Sequence, residues 1–197
     1  NNNNIDALDA PAAQQGYSPL LEVSTKSNEA LGQRLSAFNL KVQTDEHGEI
    51  PLECAFQGSK VFESGGPFID LYASDSRAAK KDPRLRASGS LIGFNFEGQE
   101  FPLEPKTGFY DWLYIRAIYP HREFLQRLET YAGFTDIEFN PSKSINCQAR
   151  SCATFVAMMK KGILDASVRS TSGFLATISP DSRQQPHSRG DSQGQLF

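Results

Sequence analysis

Cysteine is scarce in this chain: Cys54, Cys147 and Cys152 are the only three in 197 residues, an odd number with no CxxC pair. That excludes a disulfide framework and points to a reducing compartment, so a cytoplasmic location is expected. Histidine is equally rare. His47, His121 and His187 lie far apart, with no cysteine at ligand spacing, so no metal is expected. No apolar run approaches the roughly 20 residues that span a bilayer, and no membrane partner is expected. No signal-peptide pattern opens the chain, although Asn1 in place of Met leaves a trimmed leader open. Positive charge is also short. The formal net charge is −3, whereas a protein that lives by non-specific DNA binding is usually basic. A nucleic-acid partner would have to be met through a local patch and a specific pocket.

What is present is one core's worth of apolar residues, 39% of the chain, enough for a single domain without disulfide or metal support. Residues 1–17, rich in Asn, Ala, Gln and Pro, read as an N-terminal arm, and 177–197 as a tail of the same kind. Between them, 18–176 reads as one domain. Phe38–Gln43 alternates as a strand does, and Asp45-Glu46-His47-Gly48 supplies a turn. Pro51 suits the first turn of a helix running to about Glu63, which Gly65-Gly66 would stop. Ser90–Leu103 reads as a hairpin with Glu97-Gly98 at its tip. Helical spacing covers Phe109–Ile118. A further helix opens at Pro120, with Phe124, Leu128 and Tyr131 on one face, and ends at Gly133. A strand is expected near Ile137, a turn at Asn140-Pro141, and a last helix over about 148–161 with Phe155, Met158 and Met159 inward. The expected class is α+β: a single, mainly helical domain with a few short strands.

The segment from Pro51 to Phe62 has an unusual helical wheel. Drawn at about 100° per residue, Glu53, Gln57 and Lys60 share a stripe about 60° wide, and nearly everything else is small or apolar. A surface helix normally has the reverse proportions. Such a stripe either lines a cleft, where a carboxylate and an ammonium shift each other's proton affinity, or forms a satisfied pair bracing a loop. Geometry on the wheel does not choose between them.

A resemblance does. Leu35-Ser36-Ala37-Phe38-Asn39, then a strand and turn, then Pro51-Leu52-Glu53-Cys54-Ala55-Phe56-Gln57-Gly58-Ser59-Lys60 is similar to the NADAR family, which reads "LSNF" followed by a helix of the form "S-x-E-H-x-F-Q-x-x-K-F". Trp112 falls where that family has a Trp opening its next helix. The similarity covers roughly residues 22–165, and the Glu-to-Lys segment is its specific part. Cys54 stands in place of the family's His, and Ser142–Ser151 replaces its Gly-Lys-Asn-Arg-Leu-Gly loop. These departures resemble the branch found beside DarT-type DNA ADP-ribosyltransferase toxins. The resemblance implies an antitoxin that strips ADP-ribose from guanine in DNA, with ADP-ribose as product, a cognate DarT-type toxin as partner, and no cofactor. It implies Glu53 and Lys60 as the catalytic pair, with Ser36, Phe38, Asn39 and Gln57 at the substrate.

The chemistry suits those residue types. An N-glycosidic bond breaks through a state that is positive at the ribose C1 carbon and negative on the departing base. A carboxylate such as Glu53 stabilises the cation or activates water. Lys60 either donates a proton to the leaving base or attacks C1 as an amine. Arg150 and Lys143 stand near a helix start where a diphosphate would bind, or they are solvated loop residues. Gln148 and Asn146 either read a base or ribose hydroxyl or cap the helix. Trp112 either stacks on a base or anchors the core, and Phe38 has the same two readings. Arg77, Lys80, Lys81, Arg84 and Arg86 form a local basic run, a candidate contact for DNA phosphates or simply a solvated face. Two other functions share parts of this pattern: an N-glycosidase acting on a riboflavin-pathway intermediate, and a non-catalytic module that binds ADP-ribose or the toxin.

Overall fold

The structure, a computed structural model, describes residues 19–178. The first half runs β1 (Leu20–Glu22), α1 (Ala30–Arg34), β2 (Lys41–Thr44), β3 (Gly48–Pro51), α2 (Leu52–Gly58), β4 (Lys60–Phe62), α3 (Ser76–Lys81) and α4 (Arg84–Ala87). The second half runs β5 (Leu91–Phe96), β6 (Gln99–Phe101), α5 (Gly108–Ile118), α6 (Arg122–Leu125), β7 (Gly133–Thr135), α7 (Gln148–Lys160), α8 (Leu164–Arg169) and α9 (Thr171–Ile178). Single 3-10 turns precede α3 and flank α6. The class is α+β and mainly helical. The strands are short: a parallel pair β1–β7, a hairpin β2–β3, and an antiparallel set β4–β5–β6. No helix among the described residues is long and apolar enough to cross a membrane.

Helix α5 is the axis. Every residue of it except Arg116 is buried, as expected of a helix apolar on all sides. On one flank its Phe109 and Trp112 meet Phe94, Phe96 and Phe101 of the three-stranded sheet, with Phe94–Phe109 centroids 4.5 Å apart and Phe101–Trp112 4.8 Å. Elsewhere the core is filled by Tyr114 and Ile115 of the same helix, Cys152, Phe155 and Met158 of α7, and Phe174 of α9. The β5–β6 hairpin forms at Glu97-Gly98, whose φ values of 51° and 77° are those of the two-residue turn matched to strand twist.

The helix expected from Pro51 to Glu63 is half that length. It stops at Gly58, and Lys60 begins a strand paired with β5, Lys60 opposite Phe94 and Val61 opposite Gly93. Contacts with distant parts of the chain explain the stop. A Cβ on Gly58 would lie 2.6 Å from the Tyr72 ring, so close packing requires glycine there, which favours helix poorly. The Ser59 hydroxyl then bonds Ala55 O at 2.7 Å and the Tyr72 hydroxyl at 2.9 Å, and its carbonyl accepts from Asn95 N–H. Lys60 is therefore not on the helical stripe of Glu53 and Gln57.

Other expectations shift as well. The strand expected over Phe38–Gln43 lies at Lys41–Thr44, and Phe38 is in the loop before it. The strand expected near Ile137 is Gly133–Thr135, where it can pair with β1. The helix expected from Pro120 is broken by 3-10 turns, which changes the phase of the pattern. Leu125 and Leu128 point inward while Phe124 is exposed beneath the Arg127 guanidinium, 3.6 Å from its ring centre. Helices α8 and α9 have no counterpart in the reading of the sequence. The expected arm 1–17 and all but two residues of the expected tail lie outside the described residues; those two, Thr177 and Ile178, close α9.

Candidate functional site

Glu53 sits in the first turn of α2, half-buried, and its Oε1 accepts a 2.7 Å hydrogen bond from Gln57 Nε2 one turn later. Gln57 is 5% exposed, and its own Oε1 is buried with no partner among the described residues. An orphaned acceptor of that kind costs about 1–3 kcal/mol unless something donates to it. Lys60 enters from β4. Its ammonium lies 5.0 Å from the centre of the Phe56 ring, and burial pushes its pKa below the ordinary lysine value. The nearby Glu53 carboxylate partly offsets that shift, and Lys80 adds slightly to it. The tertiary structure thus brings Glu53 and Lys60 together from a helix and a strand.

Tyr110 of α5 closes the inner side. Its ring meets Phe56 edge-on at 5.5 Å. Its hydroxyl pKa is raised, first by burial and then by the Glu53, Asp111 and Asp136 carboxylates. Asp136, in the loop after β7, is the residue that sequence reasoning missed. Burial raises its pKa and the Glu22 carboxylate adds to this, while hydrogen bonds from the side chain and backbone of Gln148 pull it back. Buried Glu22 holds the loop by accepting from the Thr135 hydroxyl and from Ile137 N–H at 2.9 Å. Nothing local in the sequence marks Asp136, because its neighbours Tyr110 and Gln148 come from α5 and α7.

The remaining candidates separate by what they touch. Gln148 Oε1 accepts from Ala37 N–H at 2.7 Å, so Gln148 ties the Leu35–Asn39 loop to Asp136 and α7. Ser36 is buried and its carbonyl accepts the Asn39 and Leu40 amides; Asn39 Nδ2 donates to Gln33 O at 2.8 Å. Phe38, by contrast, is 60% exposed at the tip of that loop. Arg150 pairs with buried Asp111 at 3.1 Å, and the Ser151 hydroxyl donates to the same carboxylate at 2.6 Å, which leaves the guanidinium partly open. Lys143 is exposed, and Asn146 has a buried Oδ1 with no partner among the described residues.

Trp112 is a core anchor and presents no face to a ligand. It is 2% exposed, packed on Phe101, and lidded by the Arg116 guanidinium 5.1 Å from its ring. Trp112→Ala is expected to cost about 3–5 kcal/mol of stability, read by chemical denaturation. An unchanged midpoint with lost substrate binding would reverse that assignment. The basic run also divides. Arg77, Lys80 and Lys81 are exposed on α3 and Arg86 is exposed on α4, but Arg84 is held by Asp70 at 2.6 Å and Asp82 at 2.9 Å, and lies over Phe68. Arg84 is a structural clamp rather than a phosphate contact.

The Glu53 and Asp136 carboxylates both act on buried Tyr110, and the desolvated Lys60 ammonium lies within the field of Glu53, so groups with displaced proton affinities gather here as they do at many functional sites. The model of the DarT1-associated NADAR antitoxins matches residues 1–188. The chain belongs to that family, and its role is that of an antitoxin to a DarT toxin. No curated protein matches it.

Proposed function

We propose that the protein removes ADP-ribose from guanine in DNA by cutting the N-glycosidic bond, which undoes the toxin's modification. The observation that supports this most is the meeting of the Glu53 carboxylate with a Lys60 whose burial favours the neutral amine. In this reading the Lys60 amine attacks C1 of the ribose as the C1–N bond to guanine breaks. The bond's electron pair leaves with the base, and Asp136, which keeps its proton to higher pH than a free aspartate, protonates it. Glu53 stabilises the positive charge at C1 and takes the proton released by the attacking amine. The nitrogen now bonded to C1 then expels the ring oxygen, which takes back the proton held by Glu53, giving a Schiff base on Lys60. Water adds at C1 and hydrolyses it to free ADP-ribose and the amine. Arg150 binds the diphosphate in this reading, which its partly exposed guanidinium beside Asp111 supports. Arg77, Lys80 and Lys81 of α3 meet the DNA phosphates.

The test treats an oligonucleotide carrying ADP-ribose on guanine, and separately a riboflavin-pathway N-glycoside, at rising salt. Free ADP-ribose is expected from the oligonucleotide only. Its rate at sub-saturating DNA should fall several-fold between about 50 and about 200 mM salt, as phosphate contacts are screened. Turnover of the small glycoside in place of the DNA would move the activity to the riboflavin intermediates. A folded protein that binds the modified DNA without releasing anything would make it a binding module.

A further inference from the structure

A groove of about 390 Å3 lies between the Leu35–Asn39 loop, the end of β3 and the start of α3; Phe38, Lys41, Pro51, Asp75 and Arg77 line it. It reaches the N-terminal end of the helix that carries Glu53, because its lining residue Pro51 leads directly into α2. We propose that this groove is a subsite for the nucleotide flanking the modified base, in which an unpaired neighbouring base stacks on Phe38 and its phosphate meets Arg77. The inference rests on the reading of the substrate as DNA.

Three observations carry it. Phe38 is the most exposed large hydrophobic residue among those described, yet its loop is pinned. Gln148 Oε1 holds Ala37 N–H, the Tyr114 hydroxyl holds Leu35 O at 2.7 Å, and Asn39 holds Gln33 O. An aromatic ring kept in water on a rigid loop is a prepared stacking surface with little ordering cost left to meet. The charge is complementary. Arg77 is exposed and in no ion pair among the described residues, and Lys80 and Lys81 follow it on the same helix. The groove's one carboxylate, Asp75, is occupied in capping α3, accepting from Arg77 N–H at 2.9 Å and Ala78 N–H at 3.0 Å. Lys41 is paired with Glu49 at 2.9 Å and is not counted. Finally, α3 adjoins the chemistry: Lys80 is close enough to Lys60 to disfavour its ammonium form. A strand lying along α3 would therefore lie beside α2, the helix that carries Glu53 and packs against α3. A paired flank cannot offer a base face to Phe38, so the subsite selects an unpaired segment.

The test is fluorescence anisotropy with a labelled, unmodified single-stranded oligonucleotide containing guanine, and with its duplex. Phe38→Ala is expected to weaken single-strand binding about ten-fold while leaving duplex binding nearly unchanged. Phe38→Trp should bind at least as tightly as the wild type. Arg77→Glu should weaken both and lower the salt dependence by about one phosphate contact. The inference is overturned if the wild type binds no oligonucleotide, or if Phe38→Ala binds as the wild type does even where Arg77→Glu does not. It is also overturned if the variants weaken binding of free ADP-ribose alone, since the groove would then belong to that ligand. Because no turnover is needed, lost hydrolysis with Phe38-dependent binding intact would sink the catalytic reading and leave this one standing.

Discussion

Glu53→Gln is expected to give a folded protein that releases ADP-ribose from DNA about 10²–10³-fold more slowly than the wild type, the usual effect of removing one group that faces developing charge. The swap is close to isosteric. Its amide oxygen can still accept from Gln57 Nε2, so the hydrogen bond at 2.7 Å survives and stability should move by no more than about 1 kcal/mol. Nor can the loss be blamed on Lys60. The Glu53 charge raises the Lys60 pKa, so removing it leaves more amine rather than less. Single-turnover rates beside thermal melting decide the matter. Full activity in a folded variant would remove Glu53 from the chemistry, and a collapsed fold would recast it as structural.

Lys60 carries the second large effect. Lys60→Arg keeps the charge but cannot present an amine at any ordinary pH, and Lys60→Met keeps length without charge; both should be inactive if the amine attacks C1. With the wild type, borohydride should trap the Schiff base as a covalent ADP-ribose adduct on Lys60. The pH dependence separates the two possible roles. Burial lowers the Lys60 pKa, so the amine fraction rises with pH and reaches its plateau below the ordinary lysine range. In an Asp136→Asn background, where the titration of the acid is removed, a nucleophilic Lys60 makes the residual rate climb with pH and level off, whereas a proton-donating Lys60 makes it fall across the same window. Lys80→Ala should move that limb to higher pH, because Lys80 helps to disfavour the Lys60 ammonium. Measuring it on ADP-ribosyl guanosine, which lacks flanking phosphates, keeps DNA binding out of the result. The same burial has a sign for stability. The folded state takes up the Lys60 proton less readily than the unfolded chain, so it is penalised below the lowered pKa and gains as pH rises toward the ordinary lysine value. Lys60→Met should flatten that alkaline slope.

Where local chemistry decides, the sequence is a good guide. The Glu97-Gly98 hairpin, the α5 and α7 helices, the glycine stop at Gly162 and the inward faces of Phe155 and Met158 all follow from turn residues and spacing within a few positions. Where partners come from far along the chain, it is not. The Pro51–Phe62 wheel places Glu53, Gln57 and Lys60 on one stripe, and the proximity of Glu53 and Lys60 is right for a different reason. Strand pairing with β5 ends the helix and returns Lys60 toward Glu53 from the sheet. Trp112 and Gln148 carry chemistry suited to a ligand, but the core encloses the first and the Leu35–Asn39 loop engages the second.

By itself, then, the sequence determined the class of fold, the main helices and the segment that identifies the family, because capping, turn chemistry, periodicity and motif spacing act over a dozen residues or fewer. Only the tertiary structure decided which side chains face one another. Asp136 meets Tyr110 and Gln148, Arg84 closes on Asp70 and Asp82, and Phe38 stays in water above a pinned loop. Burial, the field of distant carboxylates and competition for hydrogen-bond partners set those outcomes, and each is a property of the assembled chain rather than of any stretch of it.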